Sequence, residues 1–253
     1  MSNLNFISKI ILFLIVFTVI FVTLHTFSLV KFDVLNNNLN GISWLYSTIA
    51  LIFSIVSAFI MQTQWNRWDR LENSVRLEVN GLWELISVSD QLPQEVRLSI
   101  RSSIASYLEH LIHDEDWRRL DRGERVESVE SSVGILQKDI FYLEKNVPEY
   151  AQLAGSIFLS IQNNRNDRLH YSSGHIPFLL YVVIGMATFL VITLSLLIAV
   201  SNTALDYIFT VSVGVLAFSI FMVIEDLNHP YRPGSWHLKK DKYRKLHDMI
   251  QEG

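Results

Sequence analysis

Four long apolar runs free of formal charge constrain this chain more than anything else in it. They occupy residues 10–30, 42–61, 176–200 and 207–224, and none contains Lys, Arg, Asp or Glu. Each is about 18–25 residues long, enough for a helix to cross roughly 30 Å of hydrocarbon at 1.5 Å per residue. A helix in a soluble core rarely runs so far without a charge. The bilayer is therefore the solvent that shapes the molecule, and the expected fold is an all-α integral membrane protein with four transmembrane helices. The first run has only Lys9 ahead of it and no small-residue cleavage site after it. It is expected to be a retained span rather than a signal peptide.

The runs divide the chain into a transmembrane hairpin (1–62), a helical domain (63–175), a second hairpin (176–226) and a basic tail (227–253). Basic residues set the orientation. Lys9, Arg67, Arg70, Arg76, Arg165, Arg168, Arg232, Lys239, Lys240, Lys242, Arg244 and Lys245 flank the runs on one side, against Lys31 alone in the two short connections. Both termini and the 63–175 region are thus expected in the cytoplasm of a multi-pass plasma membrane protein (the inner membrane of a bacterium). The middle region is acidic on balance, which argues against a nucleic-acid partner. The basic tail suits lipid headgroups. With no cysteine in the chain, disulfides and thiolate metal sites are excluded.

The second run continues past the membrane with Leu71, Val75, Val79, Leu82 and Ile86 at helical spacing, predicting one long helix that ends near Ser89 and Asp90. Trp65 and Trp68 fall where it would cross the headgroups. Pro93 and Glu95 begin a second helix whose core stripe is Val96, Ile100, Ile104, Leu108 and Leu111. A third spans 126–145. Asn146-Val147-Pro148-Glu149 starts a fourth, and the string from Ser172 to Pro177 breaks the chain before the third run. The bundle thus lies between spans two and three, on the cytoplasmic side.

Several strings resemble the bestrophin-like membrane protein family. Glu78-Val79-Asn80-Gly81-Leu82 is similar to that family's Glu-Ala-Asn-Ala-Leu helix. Leu92-Pro93 with Arg97 and Tyr107 resembles its next helix, and Asp167-Arg168-Leu169 ahead of Ile176-Pro177 its approach to span three. Glu225-Asp226-Leu227-Asn228-His229-Pro230-Tyr231-Arg232-Pro233-Gly234 resembles the Asp-Leu-Asp-x-Pro-Phe-x-Gly signature after the last span, with Asn228 in place of Asp and Pro233 inserted before Gly234. The resemblance to bestrophins proper implies a homopentameric chloride channel lined by span two, and calcium bound at an acidic run after the last span. This chain keeps Glu225 and Asp226 but lacks the long acidic run.

Ser43, Ser47, Ala50, Ser54, Ser57 and Met61 recur every three or four residues, placing one small, hydroxyl-bearing stripe on one helix face. Such a stripe permits close helix packing. It also suits the wall of a wet pore, where hydroxyls replace part of an ion's hydration without adding fixed charge. Ser43, Ser47, Ser54, Ser57 and Met61 are the pore-lining candidates, and Glu225, Asp226 and Asn228 the candidates for a cytoplasmic mouth or gate. A turn in which Asp226 and Asn228 bond backbone amides is the structural alternative. His110, His113 and Asp116 have the spacing of a weak metal cluster, better read as solvated surface. His25 falls in the first run near its outer end. No phosphate-binding glycine loop, nucleophile elbow or zinc-protease helix occurs, so nothing points to an enzyme or to a cofactor. The sequence points to an oligomeric, anion-conducting membrane channel. The competing reading is a non-conducting membrane adaptor whose helical domain binds partners.

Overall fold

A computed structural model describes residues 6–27, 39–113, 117, 119–120, 123–198 and 202–252. Among them are eight α-helices and no strand. They are α1 (Phe6–Thr26), α2 (Leu39–Ser89), α3 (Gln94–Ile112), α4 (Glu127–Asn146), α5 (Pro148–Ser173), α6 (Phe178–Leu197), α7 (Thr203–Asn228) and α8 (Asp241–Glu252). Four of these, α1, α2, α6 and α7, contain stretches long and apolar enough to cross a membrane. Expected span residues 28–30 and 199–200 lie outside the described residues. The long second helix ends at Ser89, where the loss of apolar spacing and the approach to Pro93 predict it. The fold is all-helical, as the four runs require.

The chain forms two compact units. The first comprises Met1–Trp65, Ile176–Asn228 and Pro233–Trp236, and the second Asn66–His175, His229–Arg232 and His237–Gly253. In the first unit α1 and α6 each pack on α7. Phe53 and Ile60 of α2 join Ile184 and Val191 of α6 and Ala217 and Ile224 of α7 in one apolar cluster. The ring of Phe13 stacks on Phe218 at 4.3 Å between centroids, seating α1 on α7. Many large side chains on these helices remain exposed on the single subunit, Trp44, Ile55, Phe59 and Phe178 among them. Lipid or neighbouring copies must cover so much apolar surface.

In the second unit α3 packs on α4, α4 on α5 and α8 on α3. The apolar stripe anticipated for α3 is buried throughout. It meets Leu71, Leu82 and Leu85 of α2, Leu136 and Leu143 of α4, and Ile157 and Ile161 of α5. Each such side chain contributes about 1.5–3 kcal/mol by leaving water. The helix ends follow local chemistry. Pro148 occupies the first turn of α5, where a missing N–H is harmless. Glu127 and Glu130 lie in the first turn of α4, favourable to its dipole. At the far end of α5, the Arg67 guanidinium donates to the carbonyls of Tyr171 (2.6 Å) and Ser172 (3.0 Å), a cation where the dipole is negative. Gly123 lies before α4 at φ +67°, where a Cβ would come within 2.5 Å of Ser173 Cβ. Only glycine fits that turn.

The tail was expected only to be basic. Residues 241–252 instead form α8, whose Tyr243 and Leu246 are buried in the second unit.

Candidate functional site

The membrane part of α2 presents three faces. Phe53 and Ile60 are packed, whereas Leu51, Ile55 and Phe59 are exposed and bulky. Ser43, Ser47 and Ser54 lie between these faces, within about 40° of one another at 100° per residue, and all three are exposed on the single subunit. Ser47 Oγ donates to the Ser43 carbonyl and Ser54 Oγ to the Ala50 carbonyl, each at 2.8 Å. Ser57 does not share this open face. It is 2 % exposed, and its Oγ has no hydrogen-bond partner among the described residues. Met61 is half-buried against the apolar cluster of its unit. The anticipated stripe therefore divides into an open upper part and a packed lower part.

The residues after the last span form a compact turn. Asp226 Oδ2 accepts the backbone N–H of Ser235 at 2.8 Å and of Trp236 at 2.9 Å. Gly234 sits so close that a Cβ there would fall 1.7 Å from Asp226 Oδ1. That approach is why glycine stands at this point of the string. Asn228 Oδ1 accepts the N–H of Ile176 at 2.8 Å, a buried bond that joins the end of α7 to the chain entering α6. The Tyr181 hydroxyl donates to Glu225. Trp236 meets Trp65 edge-on at 4.8 Å. Asp226 and Asn228 thus both accept from backbone amides, Asp226 within the turn and Asn228 from the start of the chain into α6.

In the second unit a buried acid is surrounded by helices distant in sequence. Glu78 on α2 and Arg168 on α5 are both 0 % exposed. Arg168 Nε donates to Glu78 Oε2 at 2.7 Å, and Tyr243 of α8 donates to the same oxygen at 3.0 Å. The Tyr107 hydroxyl of α3 donates to Oε1. Tyr231 lies beside Arg168 and Ser172. Burial, reinforced by the Glu78 charge, pushes the Tyr107 and Tyr243 hydroxyls far above the usual phenol range. They are therefore neutral donors at any physiological pH. Burial alone would weaken the Arg168 cation. The Glu78 carboxylate and the surrounding tyrosines more than offset that and raise its affinity for its proton. The cluster is a buried charge pair that ties α2, α3, α5 and α8 together, with Arg168 Nη1 and the Tyr231 hydroxyl left without a hydrogen-bond partner among the described residues.

Sequence reasoning missed this cluster, because amphipathic spacing treats charged residues as solvated. The signal was nonetheless present. Glu78, Tyr107, Arg168 and Tyr231 all stand in the strings that carry the family resemblance.

His110 is half-buried in the last turn of α3 and His113 is exposed just beyond it, while Asp116 lies outside the described residues. Among the described residues, no three His, Cys, Asp or Glu side chains converge as metal ligands would.

The chain matches the Bestrophin-like domain family over residues 11–235. Its fold is similar to that of a crystallised bacterial Bestrophin homolog from Klebsiella pneumoniae carrying a tryptophan-to-alanine mutation. The TM-score is 0.76 at 13% identity, covering 99% of this chain and 98% of that one. A leucine-to-threonine mutant of a bacterial Bestrophin homolog from the same organism gives 0.72 at 12% identity, with 98% of each chain covered. A crystal structure described as a membrane protein, with a proline-to-alanine mutation, gives 0.73 at 13%, covering 97% and 98%. At these identities the likeness is one of fold. No match to a curated protein sequence reaches significance.

Proposed function

Because the chain belongs to the Bestrophin-like family, we propose that it is one subunit of a homo-oligomeric ion channel, anion-selective, with α2 lining the pore. The observation that carries this reading is the open small-residue face of α2. Ser43, Ser47 and Ser54 are exposed on the single subunit and carry no charge, and their neighbours on the bulky side are apolar. A lone α2 cannot enclose a path. A symmetric ring of copies can, with the same face of each turned to the axis. Hydroxyl dipoles and half-satisfied helix carbonyls would then replace part of an ion's water without trapping it.

Five copies and chloride as the carried ion are what the family resemblance implies, an argument by analogy. The excess of Lys and Arg supports a cytoplasmic position for both termini and the second unit. Glu225 then lies toward the inner mouth. Asp226 serves there by holding the turn and Asn228 by tying α7 to the chain entering α6, rather than by binding a passing ion. Ser57 and Met61 continue the stripe below this open part, where α2 is packed.

The test is chloride efflux from liposomes containing the purified protein. Wild type should conduct, and Ser54→Trp and Ser47→Trp should each lower flux by an order of magnitude or more without dissociating the oligomer seen by native mass spectrometry. A monomeric wild type, or no flux from a folded oligomer, would overturn the channel reading. Undiminished flux in both tryptophan variants would remove α2 from the pore and favour an adaptor role.

A further inference from the structure

In the second unit, α3 and α8 border a groove of about 370 Å³ that neither the Glu78 cluster nor the pore reading uses. Arg97 and Arg101, one helical turn apart on α3, line it together with Ser102. Ile250 and Gln251 of α8 stand opposite, and Leu98 and Ala105 add apolar surface. Among the described residues, no Asp or Glu belongs to the lining. Its volume is that of a small-molecule site.

Folding does not account for the two arginines. Like charges four residues apart oppose the helix that carries them. Arg97 is half-buried, and among the described residues its guanidinium makes no ion pair or hydrogen bond. Arg101 Nη2 donates to Asp90 at 2.7 Å, while Arg101 Nε is buried without a hydrogen-bond partner among the described residues. The Asp90 side chain is 47 % exposed, so it can turn into water at little cost and release the guanidinium. Two planar forks on one helix face offer paired N–H donors and two compensating charges to a tetrahedral dianion. A carboxylate carries half that charge, and one guanidinium matches it.

A second groove, of about 350 Å³, shares Arg101 and Ile250 with the first. Trp83 of α2 lines it beside Met249, with half of the Trp83 surface exposed. Asp90 and Glu252 also lie on this side. They make it the wrong end for an anion, whereas the indole suits a flat apolar body.

We propose that the paired grooves bind a phosphomonoester with a flat apolar body. Arg97 and Arg101 take the phosphate, and Trp83 takes the body. The ligand touches both α3 and α8, so occupancy tightens the hold on α8, whose buried anchors are Tyr243 and Leu246. The site does not depend on conduction, so its failure and that of the channel reading are separable.

The experiment titrates the full chain in detergent micelles at pH 7.5 and constant ionic strength, by calorimetry, with phenyl phosphate, inorganic phosphate and benzoate. Phenyl phosphate should bind, inorganic phosphate should bind several-fold more weakly, and benzoate about ten-fold more weakly or less. Arg97→Gln should weaken phenyl phosphate by about ten-fold or more. Arg97→Lys keeps the charge without the fork and should fall between. Trp83→Ala should weaken phenyl phosphate several-fold and leave inorganic phosphate unchanged. Lys138→Gln removes an exposed charge on α4 and should bind as wild type does. Hydrogen exchange of the amides of residues 241–252 should slow with phenyl phosphate in wild type and not in Arg97→Gln. If Arg97→Gln fails to fold, Ser102→Asp, which puts a carboxylate at an exposed position of the groove, should abolish binding. No binding at roughly 10 mM phenyl phosphate, the result also expected if a neighbouring copy covers the groove, would overturn the proposal. Equal affinity in a folded Arg97→Gln or Ser102→Asp variant, or benzoate binding as tightly as phenyl phosphate, would do the same. So would an Arg97-dependent response to dodecyl phosphate in the micelle with none to phenyl phosphate, which would assign the groove to lipid.

Discussion

Replacing Arg168 with methionine tests whether the Glu78 cluster holds the second unit together. Both side chains are fully buried, so solvent cannot screen the charge left behind. Removing one partner of a buried ion pair costs about 3–5 kcal/mol. Here Tyr107 and Tyr243 would still donate to the carboxylate, which holds the loss near the lower figure. At roughly 2–4 °C per kcal/mol for a domain of this size, a loss of ~3 kcal/mol lowers Tm by about 6–12 °C. Trp117 is the reporter, since its ring lies 4.9 Å from that of Tyr231 and 6.2 Å from that of Tyr243. Its fluorescence should change as the cluster opens, in detergent-solubilised protein heated at pH 7.5. The double variant Glu78→Gln/Arg168→Met removes both charges and should recover at least half of the loss. If Arg168→Met melts within about 2 °C of wild type, or the double variant melts below both singles, the pair is not what joins these helices.

The remaining expectations concern the same cluster and the turn after α7. Because burial raises the affinity of Tyr107, Tyr231 and Tyr243 for their protons, the folded chain keeps protons that the unfolded chain releases above pH ~10. Stability should hold below that pH and fall above it, by up to ~1.4 kcal/mol per pH unit for each tyrosine; Tyr107→Phe should make the fall shallower in alkaline denaturation curves. Gly234→Ala must push the Asp226 carboxylate off the Ser235 and Trp236 amides. A loss of ~2–4 kcal/mol is expected, read as a lowered Tm and a changed Trp236 emission. Asp226→Asn keeps the shape and should lose less. Asn228→Ala leaves the buried Ile176 N–H unpaired and should lower stability by about 1–3 kcal/mol.

The parts of the fold legible in sequence were those written in apolar spacing. Leu71, Val75, Leu82 and Ile86 continue the periodicity of span two, so the long α2 could be read to within a residue or so of its end at Ser89. Val96 to Leu111 gave α3 in the same way. Helix α8 was not legible, because a twelve-residue polar segment buries only Tyr243 and Leu246, too few anchors to outweigh its charge in a reading by composition. The Glu78–Arg168 pair spans 90 residues of chain, and no local pattern announces a partner at that distance. The small stripe on α2 was legible as a face. Its division at Ser57 depends on where α6 and α7 press, which the spacing of α2 alone does not contain.

The docking of α8 has a practical corollary for anyone trimming this molecule. A cut placed before residue 241, chosen to discard a charged and apparently dispensable tail, would take the Tyr243 hydroxyl away from Glu78 Oε2 and the Lys242 ammonium away from Glu72. The damage would surface as poor yield or a fragile preparation, and would be blamed on the detergent. Tags belong beyond this helix, spaced from it, and proteolytic nibbling at the carboxyl end deserves checking by intact mass before any measurement is trusted.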